Sequence, residues 1–365
     1  MIRFASLRGS LGHLILNTLR FFLEKKINCS RLIISTPKNK ISNLFLYEII
    51  KYNFSNKKII FIESKMIYFL YFILLKFKNK LGIFSKFIYN IEWLHRENPK
   101  IAYGSTYNFD EKFYNHVPKI LIQDDYVKIF NKWLHNKKFL KKKFICISSR
   151  NSSYHNEKFN NPRNSNFSDF TKIIKKFTKL GYVVIRMGHH KKNDFILKDK
   201  NYYDFYEKEK KNKYLKLIEI FIFKNCEFMI SGPSGIDAYA ALFNKRIFLI
   251  NQFPAGRIPR YNNCMFIPQI YKKNNVEMNF NQIDKNILLN EDPKILKRLN
   301  ITMKKNTSIE IYNMITSNYD SKRLIGKKLK NKNFIIEGKK SSSVLCNSWY
   351  KINKLLIINK INNEN

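Results

Sequence analysis

Short apolar runs alternate with amphipathic stretches along most of this chain. In the first third, the runs predict strands at 2–5, 31–35 and 58–62, and the stretches between them predict helices at 14–25 and 43–52. Strands and helices that alternate in this way favour a parallel sheet with helices packed on its faces. We therefore expect an α/β fold.

The same alternation is clearer in the middle of the chain. The predicted elements are strands at 144–148, 182–187, 227–230 and 245–251, with helices at 167–180, 214–223 and 237–243. The strands are apolar and end in polar turns, as expected of strands buried on both faces of a parallel sheet. After about residue 270 the sequence is polar and predicts helices.

The length favours more than one domain. A chain of 365 residues exceeds the size at which a single hydrophobic core usually stops growing. We predict a first α/β domain at 1–136, a second at 137–270, and a helical segment at 271–365 that packs on both. The lysine-rich piece at 137–143 is the predicted linker.

Polar residues follow the carboxyl end of each strand in the second half. They are Ser148-Ser149-Arg150, Arg186-Met187-Gly188-His189, Ser231-Gly232 and Asn251-Gln252. In open parallel sheets, ligands bind in the crevice outside the carboxyl ends of the strands. The sequence therefore predicts a binding site at this edge of the second sheet.

The turn at 231–235, with the sequence Ser-Gly-Pro-Ser-Gly, lies between a predicted strand and a predicted helix. Unpaired N–H groups at a helix N-terminus, together with the helix dipole, favour a bound phosphate. Gly232 and Gly235 lack a Cβ and would let the backbone approach a ligand, while Ser231 and Ser234 add hydroxyl donors. The alternative is a tight connection between strand and helix with no ligand.

The formal net charge of +41, from 68 Lys+Arg against 27 Asp+Glu, raises nucleic-acid binding as a function of a different class. The lysines are spread along the chain and occur with many Asn, Ile, Phe and Tyr residues, as an A/T-rich coding bias would give. A nucleic-acid-binding protein would instead concentrate its basic residues on one face. We expect no nucleic acid among the partners, and retain this function as an alternative.

The cysteines show no C-x-x-C spacing, so neither a disulfide framework nor a zinc site is predicted. Cys146 and Cys226 lie within apolar runs, where a small buried side chain is expected. A reducing, cytoplasmic location fits, and no signal peptide is recognised. The apolar stretch at 66–75 is too short to span a bilayer. The surrounding region 59–91 predicts either a buried core helix or an interfacial helix on a membrane surface.

The chain resembles glycosyltransferases of bacterial surface-polysaccharide loci, those of capsule and O-antigen. The motifs that carry the resemblance are Ile145 to Arg150 with Tyr154, Pro162-Arg163-Asn164, Gly181 to Gly188, Cys226-Glu227-Phe228 with Ser231 to Gly235, Asn251 with Pro254, and Lys304 to Ile311. They cover roughly residues 120–355. The resemblance implies a GT-B type fold, in which two Rossmann-like domains face across a cleft and the second holds the nucleotide sugar without a bound metal or other cofactor.

The resemblance also suggests which residues hold the donor diphosphate. The predicted donor-binding residues are Arg150, Arg186, Gly188, Ser231, Gly232, Ser234 and Gly235. A guanidinium at a strand end can make bidentate contacts to a phosphate. For each arginine, the alternative is an ion pair with a surface carboxylate.

Further candidates are weaker in motif support. In a GT-B type first domain, the turn that contains Gly9 and Gly12 would face the cleft, and His13 could act as general base or contact the donor phosphate. The alternative for His13 is a packing role. The remaining candidates are Arg163 and Asn164, which could equally cap their loop, Asp204 for the ribose or base, and Asn251 as part of the cleft wall.

The predicted function is transfer of a sugar from a nucleotide-diphosphate-sugar donor to a hydroxyl of a surface glycan or a lipid-linked precursor. The predicted partners are this donor, the glycan or lipid-linked acceptor, and peripherally an anionic membrane. A GT-B type nucleotide-sugar epimerase is the competing enzyme, and it would turn over the donor without an acceptor.

Overall fold

The computed structural model describes most of the chain. The described residues are 2–5, 14–15, 31–56, 58–81, 119–150, 161–190, 195–256, 259, 261, 263–288, 292–321, 323–326 and 343–357.

The first unit contains a three-stranded parallel sheet. Its strands are β1 (Ile2–Ala5), β2 (Arg31–Ser35) and β3 (Ile59–Ile62), in that spatial order. Two helices of this unit are α1 (Leu44–Phe54) and α2 (Lys65–Leu81). Helix α1 begins after Asn43, whose side-chain oxygen accepts a hydrogen bond from the Leu46 N–H and so caps the helix.

The second unit is a seven-stranded parallel sheet. Its strands are β4 (Phe144–Ser148), β5 (Val183–Met187), β6 (Tyr202–Asp204), β7 (Phe228–Ser231), β8 (Arg246–Gln252), β9 (Cys264–Pro268) and β13 (Val344–Leu345). The spatial order is β13-β9-β8-β7-β4-β5-β6. Every residue of β4, β5 and β7 is buried, as the apolar runs predict for strands covered on both faces.

Helices cover the second sheet through aromatic contacts. They are α3 (Asp124–Asn136), α4 (Thr171–Lys179), α5 (Phe205–Glu209), α6 (Leu215–Asn225) and α7 (Asp237–Leu242). The rings of Phe130 in α3 and Phe221 in α6 stack with their centroids 4.8 Å apart. Segment 137–143 therefore connects two elements that both belong to the packing of the second sheet.

The described parts of the two units meet at a buried interface. Helix α1 packs on α6, and the Asn43 amide of the first unit donates to the Tyr239 hydroxyl at 2.7 Å and to the Lys216 carbonyl at 3.2 Å. Asn43 is itself buried. Because a buried amide that loses its partners is costly, these bonds fix the position of α1 against the second unit.

The C-terminal part mixes helices with short strands. An antiparallel sheet of order β11-β10-β12 consists of β10 (Ile270–Lys273), β11 (Val276–Glu277) and β12 (Ile301–Lys304). The helices are α8 (Lys285–Leu288), α9 (Pro293–Arg298), α10 (Ser308–Thr316), α11 (Asn347–Ile352) and α12 (Lys354–Ile357). Strand β13 pairs with β9, so the end of the chain completes the second sheet.

The predicted α/β class with two parallel-sheet units is confirmed. Strands β1 to β5, β7 and β8 lie within one residue of the predicted limits. The helices predicted after residue 270 are present, and strands β10 to β13 are additional because their short sequences lack an apolar run. Cys146 and Cys226 are buried as predicted. The domain limits stay predictions. No helix in the described part of the chain is both long and apolar enough to cross a membrane.

Candidate functional site

The strand order of the second sheet reverses between β4 and β7. The chain begins in the middle with β4, continues outward through β5 and β6, and then returns to place β7, β8 and β9 on the other side. The last residues of the two central strands, Ser148 and Ser231, are paired, and the Gly232 N–H donates to the Ser148 carbonyl at 3.3 Å. Ligands of open α/β sheets bind at such a reversal. The candidate site is therefore the carboxyl edge of β4 and β7.

Loop 161–165 lies directly on this edge. A Cβ added to Gly232 would lie 3.5 Å from Ser165 Oγ and 3.8 Å from the Arg163 carbonyl oxygen. The sequence predicts that Gly232 allows a ligand to approach the backbone. Both distances are ordinary van der Waals contacts, so the loop, and not open space, lies beside the Gly232 Cα in the structure.

Three buried amide side chains hold loop 161–165 in place, and we call Asn251, Gln269 and Asn306 the amide clamp. Asn251 donates from Nδ2 to Ser165 Oγ at 3.0 Å, and Gln269 donates from Nε2 to the Pro162 carbonyl at 2.6 Å. Asn251 and Asn306 exchange two bonds, because each backbone N–H donates to the side-chain oxygen of the other, at 2.5 and 2.7 Å.

Asn251 has φ of 51°, a left-handed conformation that asparagine adopts more readily than most residues. The sequence predicts Asn251 as part of a cleft wall in contact with ligand. Its side chain is fully buried and bonded within the protein. The structure thus assigns Asn251 to positioning the loop.

Arg150 and Asn164 are brought together as the sequence motifs suggest. Arg150 Nη1 donates to Asn164 Oδ1 at 2.7 Å, and the Ser165 N–H donates to the Arg150 carbonyl at 2.9 Å. Arg163, which precedes Asn164 on the loop, donates its backbone N–H to Asn161 Oδ1 at 3.0 Å. Both arginines are half-buried. An arginine already held in place loses little side-chain entropy when it contacts an anion.

The turn after β7 is only partly available to a ligand. Ser231 is buried and its hydroxyl donates to the Gly232 carbonyl at 2.7 Å. Ser234 is half-buried and Gly235 is exposed, so the accessible part of the turn is 233–236. Helix α7 has six residues and no side-chain cap at Ile236. A helix this short contributes less dipole than the sequence interpretation assumes.

Asp237, the first residue of α7, is a titratable group that the sequence marks only as a helix start. Burial raises the pKa of this carboxyl to about 7, although hydrogen bonds from Tyr261 and from the backbone N–H groups of Ser234 and Ala238 act in the opposite direction. Near neutral pH the carboxyl is therefore partly protonated, which reduces its repulsion of an anion at the same turn.

Arg186 lies inside the protein rather than at an open edge. Its side chain is only 2% exposed, and its guanidinium carbon lies 4.0 Å from the centre of the Phe167 ring. Arg186 Nη1 lies 3.5 Å from Asp204 Oδ2. A contact with a donor diphosphate would require this side chain to leave its present contacts. We therefore place Arg150 ahead of Arg186 as a ligand for phosphate.

His190 forms a bridge that the sequence does not indicate. Its Nε2 lies 2.9 Å from Asp204 Oδ2, and its Nδ1 lies 3.0 Å from the Gly188 carbonyl oxygen. Burial acts to lower the pKa of His190, but the hydrogen bond to Asp204 and the charge of that carboxylate outweigh it and raise the pKa above its usual value. Gly188 has φ of 93°, so it permits the turn that brings His190 back to Asp204.

Asp204 is thus engaged by protein groups on several sides. Besides its contacts with Arg186 and His190, the Asp204 carboxylate accepts a hydrogen bond from the Glu207 N–H and so caps α5. The signal that could have located this cluster is the pairing of β5 with β6, which sets Arg186 opposite Asp204. The predicted contact of Asp204 with ribose or base stays a prediction. His13, Gly9 and Gly12 lie outside the described residues.

No family model matches the sequence, and no curated protein matches it. Among solved structures, the chain is similar to a glycosyl transferase family 9 protein from Veillonella parvula, with 10% identity over 87% of this chain and 96% of that chain, and a TM-score of 0.49. It is similar to ADP-heptose LPS heptosyltransferase II of E. coli, with 11% identity over 82% and 99% and a TM-score of 0.46. A UDP-GlcNAc 2-epimerase from Methanocaldococcus jannaschii shows 12% identity over 84% and 82%, with a TM-score of 0.27.

The His190 bridge predicts a pH-dependent stability. Because the folded pKa is raised, protonated His190 stabilises the fold fully below the unfolded pKa of about 6.5, and this contribution is lost as the pH rises through the folded pKa. His190→Gln should lower the Tm at both pH values, but by roughly 2–4 °C more at acidic than at alkaline pH. This difference corresponds to about 1 kcal/mol in the free energy of unfolding. Thermal unfolding followed by circular dichroism at pH 5.5 and 8.5 measures this difference.

His189→Gln is the matched control, because burial and the nearby Lys216 lower the pKa of His189. The Tm of this variant should not decrease more at acidic than at alkaline pH. The assignment is contradicted if the two variants behave alike at both pH values.

Proposed function

We propose that this chain is a glycosyltransferase that takes a sugar from a nucleotide-diphosphate-sugar donor and transfers it to a hydroxyl of a surface glycan or a lipid-linked precursor. The observation that carries the proposal is the strand reversal at Ser148 and Ser231, with Arg150 held beside it. The reversal supports a nucleotide site, and the resemblance of the sequence motifs selects glycosyl transfer among nucleotide-dependent reactions.

Cationic side chains around loop 161–165 fit a diphosphate. Arg150 and Arg163 belong to this edge, and Lys305 directly precedes Asn306 of the amide clamp. Burial lowers the pKa of Lys305, and the attraction of Asp169 only partly opposes this effect. A cation that is poorly solvated gains from a bound anion. We propose that these three side chains neutralise the leaving diphosphate without a metal ion.

In the proposed reaction, an acceptor hydroxyl oxygen attacks the anomeric carbon of the donor sugar. The bond from that carbon to the diphosphate oxygen breaks, the nucleoside diphosphate leaves with the electron pair, and the hydroxyl proton passes to a base. His13 is the proposed base. Since negative charge grows on the diphosphate in the transition state, a preorganised Arg150 lowers the barrier.

We also propose that α2 lies on an anionic membrane surface. One face of this helix is buried through Tyr71 and Leu75, while Met66 is 77% and Phe69 is 66% exposed. Lys65 begins the helix at the same end. Apolar side chains next to a lysine are suited to the boundary between acyl chains and anionic headgroups.

The donor site predicts specific binding of a nucleotide. We expect that, in a panel of nucleoside diphosphates and nucleotide-diphosphate sugars, one nucleoside diphosphate or the corresponding sugar nucleotide raises the Tm of the wild-type protein at fixed moderate salt. Arg150→Ala should lower the affinity for this nucleotide by roughly 10-fold or more, because a charge-assisted hydrogen bond to phosphate contributes about 1.5–3 kcal/mol of binding free energy. Arg298→Ala, at an exposed residue at the end of α9, is the matched control and should bind as the wild type does.

Other outcomes separate the alternative functions. If the protein converts the nucleotide-sugar donor in the absence of any acceptor, the result would favour the epimerase. Binding of oligonucleotides with a steep salt dependence, in the absence of any nucleotide effect, would contradict the proposal and favour nucleic-acid binding.

The membrane contact predicts binding to vesicles that contain phosphatidylglycerol and little binding to pure phosphatidylcholine. Replacing Met66 and Phe69 together by Ser should reduce sedimentation with the anionic vesicles by about tenfold, since apolar burial is lost. Ile309→Ser, at an exposed apolar residue of α10, is the control. Equal binding of the double variant and the control would exclude α2 as the contact.

A further inference from the structure

A cavity of about 330 Å³ lies at the edge of the second sheet opposite the candidate donor site. It is formed by α3, the loop 137–143, the start of β4 and the end of α6, and its lining residues include Phe130, Phe139, Phe144 and Phe221. The strand β4 runs from Phe144 at the cavity to Ser148 at the strand reversal, a distance of about 13 Å at 3.3 Å per residue. The cavity is therefore separate from the donor site.

The floor of the cavity is aromatic. Phe130, Phe139, Phe144 and Phe221 are each at most 7% exposed. Phe130 and Phe221 stack on each other, and Trp133 packs its ring edge against Phe139 with centroids 5.8 Å apart. Only the edges of these rings reach the cavity, and because packing already fixes them, a ligand would contact them at little cost in protein conformational entropy.

The rim of the cavity is cationic. Lys141, Lys142 and Lys224 line it, and the Lys224 Nζ lies 5.8 Å from the centre of the Phe221 ring. Lys142 donates to the amide oxygen of Asn201 at 3.0 Å. Burial lowers the pKa of Lys224, and the neighbouring charges of Lys119 and Lys245 lower it further. Positive charges that repel one another at the mouth of a cavity favour a ligand with a negative headgroup.

The loop that supplies this rim has a defined conformation. Lys138 and Lys141 both have positive φ, at 58° and 66°, which is uncommon for residues other than glycine. The Phe139 N–H donates to the Leu134 carbonyl at 2.9 Å and the Lys142 N–H donates to the Phe139 carbonyl at 3.0 Å. The backbone of the predicted linker thus folds back to place Phe139 in the floor and Lys141 at the rim.

We propose that this cavity binds a small anionic amphiphile, namely a monocarboxylate with about ten non-hydrogen atoms in total. The size follows from the volume, since a liquid water occupies roughly 30 Å³ and the cavity would hold about eleven such volumes. The apolar body lies on the four phenylalanine rings and the carboxylate lies among the rim lysines. An inorganic anion would use only the rim and would bind weakly.

Isothermal titration calorimetry of the full chain with octanoate tests the proposal. Saturable binding at one site is expected, and octanol, which lacks the charge, should bind at least about tenfold more weakly. The variant with Lys141→Gln and Lys224→Gln should lose about tenfold in octanoate affinity. Lys132→Gln, at an exposed residue of α3 that does not line the cavity, is the matched control and should bind as the wild type does.

A cavity-filling variant provides a second readout that does not alter the charge. Asn131 lines the cavity and is exposed, so Asn131→Trp should fill the cavity without disturbing the core and should abolish octanoate binding. A nucleoside diphosphate should leave octanoate affinity unchanged, whether or not that nucleotide binds. The proposal is overturned if octanol binds as well as octanoate, if Asn131→Trp still binds, if nucleotide displaces octanoate, or if no binding occurs up to about 10 mM.

Discussion

The pairing of β4 with β7 is the constraint on which the rest of the second unit depends. Both strands are buried on both faces, so their polar backbone groups must be satisfied by neighbouring strands, and their carboxyl ends must lie at the same edge. Because β5 and β8 then extend the sheet in opposite directions, the connections leave from the two sides of one gap. The polar residues that follow β4 and β7 therefore lie at this gap.

The gap is shaped by protein groups before any ligand arrives. The amide clamp holds loop 161–165 against Gly232, and the same loop holds the Arg150 guanidinium through Asn164. Buried amides that satisfy one another are stable only as a complete set, since a single unpaired amide in the interior carries a full desolvation cost. The clamp therefore fixes the arginine side chain by way of the backbone of its neighbours.

The sequence could predict the strands of the second sheet because their signal is local. Phe144, Ile145, Cys146 and Ile147 form a continuous apolar run, and the polar residues after it mark the end of the strand. It also singles out Asn251, Arg163 and Asp204 as candidate site residues, and these roles stay predictions. It could not assign their partners, because Asn251 bonds Asn306 across 55 residues and His190 meets Asp204 through the pairing of two strands. The sequence also does not indicate that Arg186 packs on Phe167 in the interior, and its contact with a donor diphosphate stays a prediction.

Amide hydrogen–deuterium exchange with a saturating nucleotide-diphosphate sugar tests the central claim most directly, namely that the donor binds at the strand reversal. Bound donor should slow exchange in peptides that contain 161–165 and 231–237, because their N–H groups surround the reversal. Peptides from α3 and segment 137–143, at the opposite edge of the sheet, should be unchanged. Protection confined to that opposite edge, or protection that leaves 161–165 and 231–237 unchanged, would contradict the account.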